Sequence, residues 1–181
     1  DESYTYSGLV ESTVSYTHED KTGFTFDSAS SVESGTVSAE TPLVLVIKYI
    51  RNQYALSTDV DGTVTKVADY YYGAAVAEPD APSKEGYTFT GWSNLPSTMP
   101  ANDVTVTATW QVNQYNVKFY ADEAKTEVVY DQNLNYGSSM PDPTATKEGY
   151  TLAGWAYAGT TDIVDLSTVT VPAQAVEFVA I

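Results

Sequence analysis

The sequence predicts a mainly β protein (α+β at most, with any helix confined to short connections) built of small modules in tandem. Three observations carry that prediction. First, the chain repeats itself. Lys-Glu-Gly-Tyr-Thr-Phe-Thr-Gly-Trp at residues 84–92 returns as Lys-Glu-Gly-Tyr-Thr-Leu-Ala-Gly-Trp at residues 147–155. Asn52-Gln53-Tyr54 returns as Asn113-Gln114-Tyr115, and Tyr72-Gly73 as Tyr136-Gly137. Marks that recur in one order at nearly one spacing define an internal repeat of about 60 residues. Second, runs such as Val104-Thr105-Val106-Thr107-Ala108-Thr109-Trp110 alternate with the period of two that a half-buried strand requires, and they are rich in β-branched residues. Third, Pro79, Pro82, Pro141 and Pro143 break the connections, so a helix there is a turn or two at most.

The repeat divides the chain into a leading unit over residues 1–51, a full module over 52–111 and a second full module over 112–181. In the leading unit, residues 23–26 answer 86–89 and residues 43–49 answer 104–110, but the Gly-Trp pair is absent. That unit is truncated or divergent, and its N-terminal hairpin is expected to be shortened. In the second module, residues 53–57 form a first strand, Asp61-Gly62 a hairpin turn and residues 63–67 the returning strand. A Pro-broken bridge leads to a third strand over 86–92, a Pro-rich loop and a fourth strand over 104–110. The third module follows the same order. Residues 115–120 place Tyr115, Val117 and Phe119 on one face, residues 122–125 turn, 126–130 return, and 149–155 form the third strand. Its next loop, residues 156–171, is enlarged. Counting on, Trp110 corresponds to position 182, so the last strand is expected to be cut short, and Asp1 to be an internal or processed start.

Composition narrows the function classes. The chain has 24 acidic and 8 basic residues, a formal net charge of −16. That charge repels phosphate backbones and anionic membrane surfaces, and no basic stripe opposes it, so neither nucleic acid nor membrane insertion is expected. No apolar run approaches the length that spans a bilayer. With no cysteine there is no disulfide framework or thiol chemistry. Fifteen tyrosines, five phenylalanines and three tryptophans supply large rings for small cores.

Candidates for chemistry are thin, and no enzyme activity, cofactor or metal is expected. The lone histidine, His18, sits in His18-Glu19-Asp20, which reads as a solvated turn. Asp59-Val60-Asp61-Gly62 begins like a calcium loop, but the twelfth position is Tyr70 rather than Glu, and a hairpin turn is the better reading. Lys48 and Lys118 point away from the core, which argues against an isopeptide crosslink. The repeated marks read as structural. Gly86 and Gly149 permit a positive φ before a strand. Gly91 and Gly154 leave room for a neighbouring backbone or ring. Tyr87 and Tyr150 follow the first glycine of each mark. Trp92, Trp110 and Trp155 fill module cores or the junctions between modules, a ligand-binding tryptophan being the alternative.

The blocks Tyr115 to Phe119, Tyr72-Gly73, Gly86 to Trp92 and Val104 to Trp110 together resemble the internalin-type B-repeat, also called the Listeria–Bacteroides repeat. The resemblance covers residues 52–181 well and 23–51 weakly. It implies a β-grasp, ubiquitin-like fold repeated as a rod-like array in an extracellular bacterial surface or wall protein. It also implies a stalk role, with neighbouring repeats of the same chain as partners. The alternative is adhesion to a host glycan or host surface protein. The residues for that role are Tyr70 and Tyr71 of the Tyr70-Tyr71-Tyr72 run, where at least one ring must face outward, and Tyr157 in the enlarged loop.

Overall fold

The computed structural model describes residues 8–181, so the reading of Asp1 lies outside the described residues. The described residues are mainly β, with thirteen short strands and, as their one helical element, a 3-10 turn at Leu166–Thr168. The α half of the α+β expectation is corrected: the bridges over 74–86 and 138–149 carry prolines, which remove backbone donors, and hold no helix. The structure divides into two compact units. One contains residues up to Asp80 together with Trp92–Thr107, the other Ala81–Gly91 with Ala108–Ile181.

In the first unit, β1 (Thr13–Ser15) pairs antiparallel with β3 (Ser34–Thr36), and β2 (Phe24–Phe26) with β4 (Tyr49–Arg51). The strand expected over 43–49 is therefore displaced. Only Val46 forms a bridge before β4, because the Ser31 hydroxyl takes the Lys48 N–H and interrupts the ladder. His18 is also not in a solvated turn. Its ring stacks on Phe26 at 3.6 Å and its Nδ1 lies 2.9 Å from the Glu33 carboxylate.

β5 (Gln53–Val60) and β6 (Thr63–Tyr71) form the hairpin read from the sequence, longer than expected and with a bulge at Leu56/Ser57. Asp61 and Gly62 both have positive φ, and the Asp59 carboxylate accepts the Gly62 N–H at 2.9 Å. That geometry suits the right-handed twist of the flanking strands. β5 runs parallel to β8 (Val104–Val112), with Leu56 opposite Val104 and Asp59 opposite Thr107. With β7 (Tyr87–Ser93) the sheet order is β6-β5-β8-β7. Leu56, Met99 and Val106 are the fully buried residues of this unit.

In the second unit, β9 (Gln114–Tyr120) pairs antiparallel with β10 (Val128–Asn135) and parallel with β13 (Val176–Ala180). β11 (Trp155–Tyr157) and β12 (Ile163–Val164) complete the order β10-β9-β13-β11-β12. The first three neighbours reproduce the connectivity of β6-β5-β8, so the repeat is topological as well as textual. Val117, Phe119, Trp155 and Phe178 centre the core, with Phe119 stacked on Phe178 at 4.6 Å and edge-on to Trp155 at 4.8 Å.

One expectation for this unit is corrected. Residues 149–154 are not strand: the Ala153 N–H donates to the Ile181 carbonyl, but pairing with β13 begins only at Trp155, opposite Ala180. The enlarged loop over 156–171 is partly built into the sheet. It contributes the edge strand β12 and tucks Leu166, 6% exposed, into the core.

Candidate functional site

Each copy of the repeated Gly-aromatic mark begins with one turn. The N–H of Phe24, Tyr87 or Tyr150 donates to the carbonyl of Lys21, Lys84 or Lys147 at 3.0–3.1 Å. Gly23, Gly86 and Gly149 occupy the third position with φ of +77°, +75° and +78°, a conformation that favours glycine.

On the first two turns a second segment docks. Asn52 donates its N–H to the Gly23 carbonyl at 2.9 Å and accepts the Tyr72 N–H at 2.8 Å. Asn113 donates to the Gly86 carbonyl at 2.8 Å and accepts from Tyr136 at 2.9 Å. The hydroxyls of Thr25 and Thr88 donate to the Asn52 and Asn113 Oδ1 atoms at 2.7 and 2.6 Å. The Tyr72 and Tyr136 rings then lie over Gly23 and Gly86, so closely that a Cβ at either glycine would come within about 2.1 Å of the ring. Each ring also meets Phe24 or Tyr87 edge-on at 5.9 Å. Asparagine and tyrosine thus join the end of one repeat to the start of the next through their backbones. Both had been visible as repeated marks, but nothing in sequence spacing alone says that they meet the glycine.

The tryptophans divide in role. Trp155 is 2% exposed and its indole N–H donates to the Pro143 carbonyl at 3.0 Å. Trp92 is half-buried and makes the equivalent bond to the Pro79 carbonyl at 3.0 Å. Each indole therefore holds the Pro-bearing part of a bridge whose start is already paired, Ala75 with Thr98 and Ser139 with Thr170. Trp110 packs edge-on against Phe89 at 5.7 Å, beneath the Lys84 ammonium. Gly154 has a close neighbour, but it is the Ile163 side chain rather than a backbone or ring. Gly91 has none: no atom lies within 4 Å of its Cβ position, and its φ of +137° is the reason for glycine there.

Among the rings proposed for ligand contact, Tyr70 is half-buried and faces Tyr54 across the hairpin. Tyr71 turns outward, 47% exposed, with the Arg51 guanidinium 5.1 Å from its ring centre. Tyr157 is 38% exposed and stacks on Phe178 at 4.8 Å, so it serves the sheet as well as the surface. Tyr71 belongs to the first unit and Tyr157 to the second. Among the described residues there is no group of acidic, His or Cys side chains arranged to hold a metal ion, and no helix long and apolar enough to cross a membrane.

The Listeria-Bacteroides repeat domain matches this chain twice, over residues 54–113 and 115–181. The chain is 37% identical over 160 residues to Internalin H of Listeria monocytogenes, an alignment covering 81% of this chain and 26% of that protein. It is 26% identical to an Evansella cellulosilytica protein described as a Gly-rich membrane protein, over 84% of this chain and 18% of the other. The chain thus spans about a quarter or less of the curated relatives it matches.

Proposed function

This chain belongs to the Listeria-Bacteroides repeat family, and on that premise we propose that it is a non-catalytic stalk segment of a bacterial cell-surface or secreted protein. In this reading, units over residues 1–51, 52–111 and 112–181 act in series to space other parts of a longer protein from the cell. The order β6-β5-β8-β7, with its parallel central pair, supports describing the repeats as helix-free β-grasp modules. The observation that carries the stalk is the connection at Asn52 and Asn113. A linker whose N–H and carbonyl are both bonded, and which is followed by a ring seated on glycine, has little freedom to swivel. A spacer under load needs that stiffness, whereas a flexible tether would use a longer, polar linker.

The chain has no cysteine, so spin labels can be placed singly on Glu85→Cys and Gln132→Cys, exposed positions on either side of Asn113. The stalk reading expects one narrow label–label distance that broadens in Tyr136→Ala. A broad distribution in the parent chain would rule it out.

The adhesive alternative draws on Tyr71, an outward ring beside Arg51 on the edge strand β6. Tyrosine presents a flat apolar face with a polar tip, suited to sugar or protein surfaces. It expects saturable binding of the chain to immobilised mucins or host-surface extracts, lost in Tyr71→Ala. A flat response removes it.

A further inference from the structure

Where β8 passes into β9, residues 111–115 border a cleft of about 690 Å³ that Thr88 and Asn135 also line. All of these residues belong to the second unit. Hydrogen bonds fix the polar side chains. The Thr88 hydroxyl donates to the Asn113 Oδ1 at 2.6 Å, and the Gln114 amide donates to the Asn135 Oδ1 at 3.0 Å. Both bonds use carbonyl oxygens, so the NH2 groups of Asn113 and Asn135 remain as donors, and Gln111 brings a donor and an acceptor of its own. No lining residue is charged, on a chain whose formal net charge is −16.

The row of amides continues beyond the cleft. Gln114, Asn116 and Lys118 alternate with the buried Val117 and Phe119, and stand opposite Asn135, Asn133 and Asp131 on β10. The Asn116 amide donates to Asp131 at 2.7 Å and to Asn133 at 3.3 Å. The outer face of this hairpin is thus a strip of fixed polar side chains that starts at the cleft.

The connection between repeats does not require these amides. At the matching place in the first unit, Ile50 stands for Gln111, Arg51 for Val112 and Tyr71 for Asn135, while the threonine and asparagine that make the connection are kept. Gln111 and Asn135 are therefore free of the structural duty that Asn113 carries.

We infer that the cleft is a binding site for a neutral glycan, whose next sugars lie along the strip on β9 and β10. Sugar hydroxyls donate and accept at once, as side-chain amides do, and a concave site of this size with a few fixed polar groups suits them. An acidic polysaccharide would meet an acidic chain and no cation in the cleft. A peptide strand would be read by its backbone, but the Asn113 N–H and carbonyl are already bonded to Gly86 and Tyr136.

The test titrates the isotope-labelled full chain with cellohexaose, maltohexaose and mannohexaose, and separately with hexagalacturonate and with the peptide Ser-Val-Ser-Val-Ser. At least one neutral hexasaccharide should move the side-chain NH2 signals of Gln111, Asn113 and Asn135 saturably. Asn135→Asp keeps the acceptor that Gln114 uses but removes the donor, and is expected to weaken binding about tenfold, the effect of one lost hydrogen bond. Gln111→Ala, an exposed position at the end of β8, should weaken it with no change in melting temperature. No response to the neutral sugars overturns the inference, and so does a response to hexagalacturonate or the peptide alone. The site is independent of the stalk reading and of Tyr71. Tyr71→Ala should leave this binding intact, and its loss there would assign the glycan to the first unit instead.

Discussion

Gly86 and Gly149 hold the same turn at nearly the same φ and differ only in what lies beyond the Cβ they lack. That difference separates two costs that glycine substitutions usually confound. Gly149→Ala should bear the left-handed backbone alone, about 1–2 kcal/mol. Gly86→Ala bears the same strain and also drives a methyl into the Tyr136 ring, a further overpacking cost of about 1–3 kcal/mol. Denaturant titration of the two variants should rank Gly86→Ala clearly the worse, and equal losses would mean that the ring moves aside freely. The tryptophans offer a parallel contrast. Trp155→Ala removes a side chain that is 2% exposed and should cost about 3–5 kcal/mol. Trp92→Phe keeps a ring but loses the bond to Pro79, a change of about 1 kcal/mol. A melt unaltered by Trp155→Ala would contradict the packing described for that core.

At the scale of elements, the enlarged loop of the third module behaves as part of the sheet. Ile163 and Val164 pair with β11, Ile163 covers Gly154, and Leu166 is held in the core by a turn whose first N–H groups are taken up by Asp165. Leu166→Ala should therefore cost about 2–5 kcal/mol in thermal or denaturant unfolding, as a core truncation does. A ligand loop free of the fold would tolerate the change, so a loss below experimental error would return this segment to the surface. The same elements show what a sequence can reveal. Strict alternation made β5, β8 and β9 legible, because period-two patterns map directly onto buried faces such as that of Val117 and Phe119. β12 was not legible, since two residues carry no period. The strand read over 43–49 failed for a different reason: its apolar run Leu43-Val44-Leu45-Val46-Ile47 is real, but the Ser31 side chain competes for the Lys48 backbone. The junction partners Asn113 and Tyr136 were visible as repeats. Their meeting with Gly86 was not, because pattern reports which residues matter and not which of them touch.

At the scale of the whole molecule, 24 acidic residues against 8 basic ones set how the fold responds to pH. Among the described residues, four carboxylates are held below their ordinary range by their hydrogen-bond partners, Asp27 in the first unit and three in the second. Asp122 is lowered chiefly by the Thr126 backbone N–H, Asp131 by the Asn116 amide and the Lys118 ammonium, and Glu177 by the Lys125 ammonium. A carboxyl group whose folded value is depressed stabilises the fold above its unfolded value, and that contribution is lost as pH falls through the folded one. Opposing this, acidification first relieves the repulsion of a chain whose sequence pI is about 4.1. The two effects separate in a variant. Asp122→Asn changes the overall charge little but removes the carboxylate that accepts from Thr126 and Glu127 in the β9–β10 turn. The difference in melting temperature between the parent chain and Asp122→Asn should be largest at neutral pH. It should shrink as pH drops below the ordinary carboxylate range, because the parent's Asp122 is then protonated as well. A difference that stays constant across that range would mean that the turn is held by its shape rather than by its charge.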